Sequence, residues 1–283
     1  MASRILYNEV MTSPPIYRLN RPQLLLLRAI HDYDYLTSDR ACRLLFSGAS
    51  KTYAQANLKR LADADYLVRI ELPRRQRVGS GPIVYAVSSK GRRLLAQLGV
   101  EVSPYRRPSE EREHTHLFLE HTLDTVDVLI AATLLGRHEP RVELVGFRGE
   151  RALKRTPVPT WRADGSRINV APDSWMDVRS DGKWQDCLVL ELDRNTEFQQ
   201  DWRRKIAALV AYAAGPYQEA FGTTAIHVIV VVTVGGERRV RQLLDWTARE
   251  LAHPGREGDA ELFSFTGADP TGDPVAFFLG DHW

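Results

Sequence analysis

The sequence predicts a mixed α/β fold, α+β overall, in which a helix-rich front part precedes a mixed sheet with flanking helices. Residues 21–100 show helical apolar stripes, then two β-rich runs, then one more helical stripe. After residue 114, helical patterns alternate with apolar runs, of which the β-branched run 226–234 is typical of a central buried strand. Two domains are expected from a chain of 283 residues.

The composition indicates a globular protein of a reducing compartment. No apolar run approaches the roughly 18 residues that a membrane span requires, and the N-terminus lacks the pattern of a secretory signal. The two cysteines, Cys42 and Cys187, lie far apart in apolar surroundings. We therefore expect a cytoplasmic protein with buried thiols and no membrane partner.

Charge is distributed unevenly along the chain. Residues 1–113 carry 19 Lys and Arg against 11 Asp and Glu, whereas the remainder carries 19 against 25. A basic front half favours binding to a polyanion, and an acidic back half is compatible with metal binding.

The front half divides into an arm and a small domain. Residues 1–20 are predicted to be an N-terminal arm, because Pro14 and Pro15 disfavour a helix there. Residues 21–100 then give the order helix, helix, helix, hairpin, helix, with Pro22 in the first turn and Gly99 after the last helix. This order resembles a winged helix-turn-helix domain.

A winged helix places its third helix in the major groove of duplex DNA, so the polar residues of that helix are the candidate DNA contacts. They are Lys51, Thr52, Gln55 and Lys59. Three arginines at the tip of the predicted wing are candidate phosphate or minor-groove contacts. They are Arg74, Arg75 and Arg77. The alternatives are a helical bundle with a charged face and a winged helix that is used for protein contacts.

The back half begins after a Pro-rich, charged segment, residues 101–113, which is predicted to be a linker. Residues 114–283 are predicted to form one α/β domain. Its expected elements are a long helix over about 114–135, a strand over 142–147, a hairpin over 175–192, a helix over 197–214, the strand 226–234, a helix over 238–251 and short strands near Leu262 and Val275. Residues 148–170 are expected to be loop.

The hairpin brings two carboxylates together. Asp181 and Gly182 are typical turn residues, and folding the chain there sets Asp173 opposite Glu191 to within one residue. Two carboxylates and the backbone carbonyl of Leu192 would form a hard oxygen site for Mg²⁺ or Mn²⁺. The alternative is a strand edge with solvated acids.

The helix that follows adds polar residues at steps of about four. Glu197, Asp201, Lys205 and Tyr212 are expected on one side of this helix. Lys205 would then reach the strand end, where an ammonium could orient an attacking water or stabilise negative charge on a phosphate. The alternative for Lys205 is a surface lysine.

These motifs carry a resemblance to a known family. The string PD…LELDRNTE…WRRKIAALVAY behind a winged helix resembles the replication-relaxation family of mobile-element proteins, with a restriction-endonuclease-like PD-(D/E)XK nuclease domain, over about residues 20–235. The resemblance implies catalytic roles for Asp173, Glu191 and Lys205, with Glu197 and Tyr212 nearby. It also implies that Glu120 matches an acid of the family's long helix. The alternative is that Glu120 belongs to an ordinary solvated stripe of that helix, together with His116, Asp124 and Asp127.

The chain departs from the nuclease pattern at Asp193, where the motif has a lysine. Asp193 is expected to cap the next helix or to bind the metal, and the missing lysine leaves two functions open. The first is a DNA-binding protein of a plasmid or mobile element that acts in replication or transfer and cleaves phosphodiester bonds as a metal-dependent deoxyribonuclease. The second is a catalytically inactive regulator or adaptor that uses the nuclease-like domain as a scaffold. Double-stranded DNA is the expected partner, with a homodimer or a DNA-processing complex as further assemblies.

Overall fold

The computed structural model describes residues 19–46, 51–73, 81–102, 115–162, 165–252 and 256–281. The chain divides into two compact units, Met1–Ile130 and Ala131–Trp283. The mixed α/β class predicted from the sequence is confirmed. Residues 103–113 of the predicted linker lie outside the described residues, so the domain limits stay a prediction. None of the described helices is long and apolar enough to cross a bilayer.

The first unit has the predicted order of helices and hairpin, with one additional short strand. Its elements are α1 (Arg21–Asp32), β1 (Leu36–Thr37), α2 (Ser38–Leu45), α3 (Lys51–Asp63), β2 (Leu67–Glu71), β3 (Ile83–Val87), α4 (Ser89–Gln97) and the first part of α5 (His116–His138). Polar residues cap these helices where the sequence offers them. Asn20 and Gln23 form a capping box on α1, and Thr37 and Ser88 cap α2 and α4.

The small sheet of this unit is antiparallel, in the order β1-β3-β2. Val68, Ile70 and Val84 from its strands share a buried apolar cluster with Leu119 and Leu123 of α5. The helix α5 is thus held to the hairpin by apolar burial, which is the main stabilising contribution in such packing.

The acidic side of α5 is not the solvated stripe that its spacing suggests. Asp127 is buried, and its carboxylate receives Arg40 Nη2 at 2.5 Å and Arg43 Nη2 at 2.7 Å. The solvated interpretation is therefore wrong for Asp127, because the two arginines of α2 compensate the charge that burial would otherwise disfavour.

The second unit is built on a five-stranded mixed sheet in the order β10-β9-β8-β7-β4. Its elements after α5 are β4 (Val142–Gly149), α6 (Glu150–Arg155), β5 (Val158–Trp161), β6 (Arg167–Val170), β7 (Ser174–Ser180), β8 (Trp184–Asp193), α7 (Gln199–Ala213), α8 (Pro216–Phe221), β9 (His227–Val232), α9 (Gly236–Leu251), a 3₁₀ turn (Glu257–Leu262), β10 (Phe263–Thr266) and α10 (Pro274–Leu279). Strands β8, β9 and β10 run parallel, while β4, β7 and β8 form antiparallel pairs.

The core of this unit lies between the sheet and the helices α7 and α9. Val189 and Val230 pack in one buried cluster with Trp202 and Leu243. The indole nitrogen of Trp202 donates to Thr247 Oγ1 at 2.9 Å, so its one polar atom is satisfied inside the core. This hydrogen bond joins α7 to α9, and Lys205 of α7 contacts Glu191 of β8.

The structure corrects two predictions about local elements. Residues 148–170 contain the helix α6 and the hairpin β5–β6, whose strands pair from Val158↔Val170 to Trp161↔Arg167. Val275 lies in the helix α10, not in a strand, because Pro274 occupies the first turn and Asp273 Oδ1 accepts the Val275 N–H at 2.9 Å.

Candidate functional site

The hairpin of β7 and β8 places Asp173 beside Glu191. The strands pair from Ser180↔Trp184 to Ser174↔Leu190, and continuing this register sets Asp173 opposite Glu191. Asp173 N donates to Leu190 O at 3.1 Å, and Leu192 N donates to Asp173 Oδ2 at 2.8 Å. Asp181 and Gly182 have the positive φ angles, 52° and 66°, that this tight connection requires. The two acids therefore meet at the end of adjacent strands.

The helix α7 brings Lys205 to the same place. Lys205 Nζ lies 3.0 Å from Glu191 Oε2 and also contacts Glu197 Oε1. Glu191 is 5 % exposed, whereas the Lys205 side chain is 30 % exposed and keeps access to solvent. The structure thus gathers Asp173, Glu191, Glu197 and Lys205 into one polar cluster.

Burial and charge act together on this cluster. Burial raises the pKa of Glu191 to about 7, the charge of Lys205 opposes this shift, and the charge of Asp173 adds to it. Burial alone would lower the pKa of Lys205, but Glu191, Asp173 and Glu197 raise it above its ordinary value. The 3.0 Å contact supports a protonated Lys205 beside a carboxylate. The cluster therefore carries an ammonium group that is held in place.

The cluster contains two of the carboxylates that the predicted magnesium site requires. Mg²⁺ binds proteins through one or two carboxylates and keeps several waters, so Asp173 and Glu191 would be its protein side chains, and the metal itself stays a prediction. Glu197 Oε2 is buried and has no hydrogen-bond partner among the described residues, which leaves an acceptor for a metal-bound water. No group of three or more His, Cys, Asp or Glu side chains in the described ranges is arranged to hold a metal. The Leu192 carbonyl as a third ligand stays a prediction.

Asp193 pairs with Arg239 and not with the residues of the polar cluster. Arg239 donates to both carboxylate oxygens of Asp193, and Arg239 Nη2 also donates to Glu197 O at 2.9 Å. Asn195 N donates to Asp193 Oδ2 at 2.9 Å. The expected cap is wrong, because the N-cap of α7 is Phe198. The Asp193 carboxylate is held by a guanidinium instead, and a role in metal binding stays a prediction.

The remaining support residues are distributed elsewhere. Tyr212 is buried in the apolar core, with its ring 5.3 Å from that of Tyr217, and burial raises its pKa. Tyr212 lies seven residues after Lys205 and therefore on the same side of α7. Burial differs along this side, since Asp201 is exposed and Tyr212 is buried, and a functional role for Tyr212 stays a prediction. Glu120 is half-buried in the part of α5 that belongs to the first unit, and its functional role stays a prediction.

In the first unit, α3 presents the predicted DNA contacts to solvent: Lys51, Thr52, Gln55 and Lys59 are all exposed. Lys51 Nζ lies 2.6 Å from Asp39 Oδ1, and Lys59 Nζ lies 2.5 Å from Asp63 Oδ2. Arg74, Arg75 and Arg77 lie outside the described residues.

A polar cavity of about 460 Å³ adjoins this helix. Lys51, Gln55 and Lys59 line it together with Arg69 and Tyr85 from the hairpin. These polar side chains give the face of α3 the hydrogen-bond donors that phosphates and base edges accept.

Two basic residues of these sites were missed by sequence reasoning. Arg69 follows from the alternation of β2, whose pattern exposes Arg69 and Glu71 while burying their neighbours. Arg239 lies four residues before Leu243 on the buried side of α9. A charged residue within an apolar helical stripe is the sequence signal of a buried ion pair, because charged side chains are almost never buried without a partner.

A family model agrees with the sequence resemblance. The replication-relaxation family model matches residues 27–226, which is most of the chain. The crystal structure of RV1404 from Mycobacterium tuberculosis is similar at 18 % identity and a TM-score of 0.27, covering 48 % of this chain and 87 % of that one. No curated protein gives a significant match.

Proposed function

This chain belongs to the replication-relaxation family, and from that membership we propose that it is a DNA-binding protein of a plasmid or other mobile element that acts in replication or transfer. We further propose that its second unit nicks or cleaves DNA with the help of Mg²⁺ or Mn²⁺. The observation that carries the proposal is the meeting of Asp173, Glu191 and Lys205 at the end of adjacent strands.

Each residue of the cluster has a distinct part in this proposal. Asp173 and Glu191 would hold the ion, which when bound supplies an activated water and charge neutralisation at a phosphate. Lys205 keeps a protonated ammonium beside Glu191, and that charge favours the phosphate oxygens of a strand that enters the site. The buried, unpaired Oε2 of Glu197 accepts a hydrogen bond from a water there and orients it.

The first unit supplies the binding to duplex DNA in this proposal. The exposed polar side of α3 and the adjoining cavity carry Lys51, Gln55, Lys59 and Arg69. A helix of this kind places its N-terminal residues against base edges while basic residues contact phosphates. Asp39, which pairs with Lys51, must release that lysine for a phosphate.

A second function follows if Lys205 fully neutralises Glu191. The contact of 3.0 Å between Lys205 Nζ and Glu191 Oε2 is compatible with a closed ion pair that excludes metal. The second unit would then be a scaffold, and the protein would act as a regulator or adaptor through duplex binding alone.

A plasmid assay separates the two functions. Supercoiled plasmid is incubated with the full chain in Mg²⁺, in Mn²⁺ or in EDTA, and duplex binding is measured in parallel by band shift. The nuclease proposal predicts open-circular or linear product with metal and none with EDTA. Intact plasmid together with a salt-sensitive band shift would instead support the scaffold function.

A further inference from the structure

A cavity of the second unit, of about 660 Å³, lies on another side of α7 from the carboxylate cluster. The start of α7, the residue after β5 and the end of α9 form its walls. The residues that matter for its chemistry are Arg162, Phe198, Gln199, Arg203, Arg204 and Glu250.

The charge of this groove is positive. Its one acid, Glu250, receives Arg203 Nε at 2.7 Å and lies 3.9 Å from Arg256 Nη1, so its charge is already compensated. Among the described residues, Arg162 Nη1 donates to Ser166 Oγ at 3.1 Å, and a guanidinium has five donors. Arg162 can therefore offer further donors to a phosphate group in planar, bidentate geometry.

Arg204 is the second cation available to a ligand. Its side chain is 62 % exposed, and its partner Asp201 is equally exposed at 3.6 Å. An ion pair so open to water contributes little to stability, so a phosphate can replace the carboxylate at small cost.

An exposed aromatic ring, that of Phe198, lines the groove. Phe198 is 78 % exposed, although burial of a phenylalanine side chain is normally favourable by a few kcal/mol. It occupies the N-cap position of α7, where its side chain provides no capping hydrogen bond. An exposed ring that lines the same groove as Arg162, Arg203 and Arg204 suits stacking of a nucleobase.

The groove is adjacent to the proposed catalytic cluster along the chain. Phe198 directly follows Glu197, whose carboxylate contacts Lys205. A strand held at Phe198 would therefore contact the chain next to Glu197, one of the residues of the cluster. Bases in a duplex are stacked on each other and are not available to a protein ring, so the arrangement fits an unpaired strand.

We propose that this groove binds single-stranded DNA, with phosphates on Arg162 and Arg204 and a base stacked on Phe198. The inference rests on the proposed function, since it names the form of DNA that the second unit takes. It assigns to this unit a binding site that is separate from the duplex-binding face of α3.

Fluorescence anisotropy with a labelled oligothymidylate of about 12 nucleotides tests the site. A probe of the same length with an abasic backbone reports phosphate contacts alone. Phe198→Ala should weaken thymidylate binding by roughly 5- to 150-fold, since stacking on an aromatic ring contributes about 1–3 kcal/mol per base. The same variant should leave abasic binding unchanged, and Phe198→Trp should retain affinity for thymidylate. Arg204→Ala should weaken both probes and reduce the dependence on salt.

Matched controls lie at the other end of the sheet. Trp184, exposed at the start of β8, is the control for the aromatic ring, and Arg141, which pairs with Glu139, is the control for the arginine. Trp184→Ala and Arg141→Ala should bind both probes like the wild type.

The outcomes are separable from those of the nuclease proposal. Wild-type thymidylate affinity in Phe198→Ala, or equal losses on both probes, would overturn the stacking site, as would absence of binding by the wild type. An intact plasmid in the nicking assay, together with Phe198-dependent binding of thymidylate, would refute cleavage and leave the groove supported.

Discussion

The guanidinium of Arg239 holds both carboxylate oxygens of Asp193, with Nε 2.8 Å from Oδ2 and Nη2 2.9 Å from Oδ1. Both residues are buried, and the same guanidinium donates to the backbone carbonyl of Glu197. The acid that stands in the lysine position of the nuclease pattern therefore fixes the loop between β8 and α7. Asp193 thereby positions Glu197 and the start of α7, the helix that carries Lys205.

Removal of Arg239 should destabilise the second unit strongly. Arg239→Met leaves Asp193 buried without a cation, which costs about 3–5 kcal/mol in comparable pairs. Urea unfolding monitored by tryptophan fluorescence measures the loss. The double variant Asp193→Leu/Arg239→Met should recover most of it, because no charge then remains buried. A single variant as stable as the wild type would contradict the assigned contact.

Removal of Lys205 should also affect stability, but less. Lys205→Met leaves Glu191 buried without its cation, and the partial exposure of Lys205 limits the loss to roughly 1–3 kcal/mol. The matched control is Lys154→Met, which breaks an exposed pair with Glu150 on α6 and should change stability by less than about 0.5 kcal/mol. Equal losses in the two variants would show that the Lys205 pair is an ordinary surface contact.

Duplex binding should respond in opposite directions to the two partners of one ion pair. Lys51→Ala should weaken binding and reduce the slope of affinity against salt by about 1, because one phosphate contact is lost. Asp39→Asn should strengthen binding, because Lys51 no longer has a competing carboxylate at 2.6 Å. Band shifts at several salt concentrations measure both. Arg93→Ala, an exposed change on α4, is the control, and the same loss there as at Lys51 would argue against a contact specific to α3.

The stability of the second unit should depend on pH through His227. Burial lowers the pKa of His227, an effect that Asp186 opposes, and the ring contacts Ser264 Oγ at 2.8 Å. Since the unfolded chain takes up the proton more readily, this contribution is complete above pH about 6.5 and is lost as pH falls below that value. Chemical unfolding between pH 5 and 8 should show the loss in the wild type and a smaller one in His227→Asn. Identical pH profiles for the two proteins would refute this contribution.

Much of the framework follows from local patterns in the sequence. The turn at Asp181 and Gly182 fixes the register of β7 and β8, and this register alone brings Asp173 to Glu191. The spacing of Asp201, Lys205 and Tyr212 predicts that they share one side of α7, but it does not predict their burial. Asp201 is exposed, whereas Tyr212 is part of the buried core. Periodicity locates a helix face well but does not show how far the core extends around it.

Other parts of the site depend on contacts between distant residues. The pairing of Asp193 with Arg239 joins positions 46 residues apart, and no local pattern distinguishes it from a cap or a metal ligand. The hairpin β5–β6 carries short alternations around Pro159, too weak to assign from periodicity, yet it contributes Arg162 to the groove. These features arise from tertiary packing and not from propensity.

The central claim is a metal-dependent nuclease centre at Asp173 and Glu191, and its most direct test is the nicking rate of purified full-length variants on supercoiled plasmid in Mn²⁺. Glu191→Gln keeps the size of the side chain but removes the charge, and it should lower the rate at least about 100-fold by removing a metal ligand. Glu219→Gln, an exposed change on α8, should nick like the wild type. Equal rates in all three proteins would contradict the claim, because the activity would then arise outside this cluster.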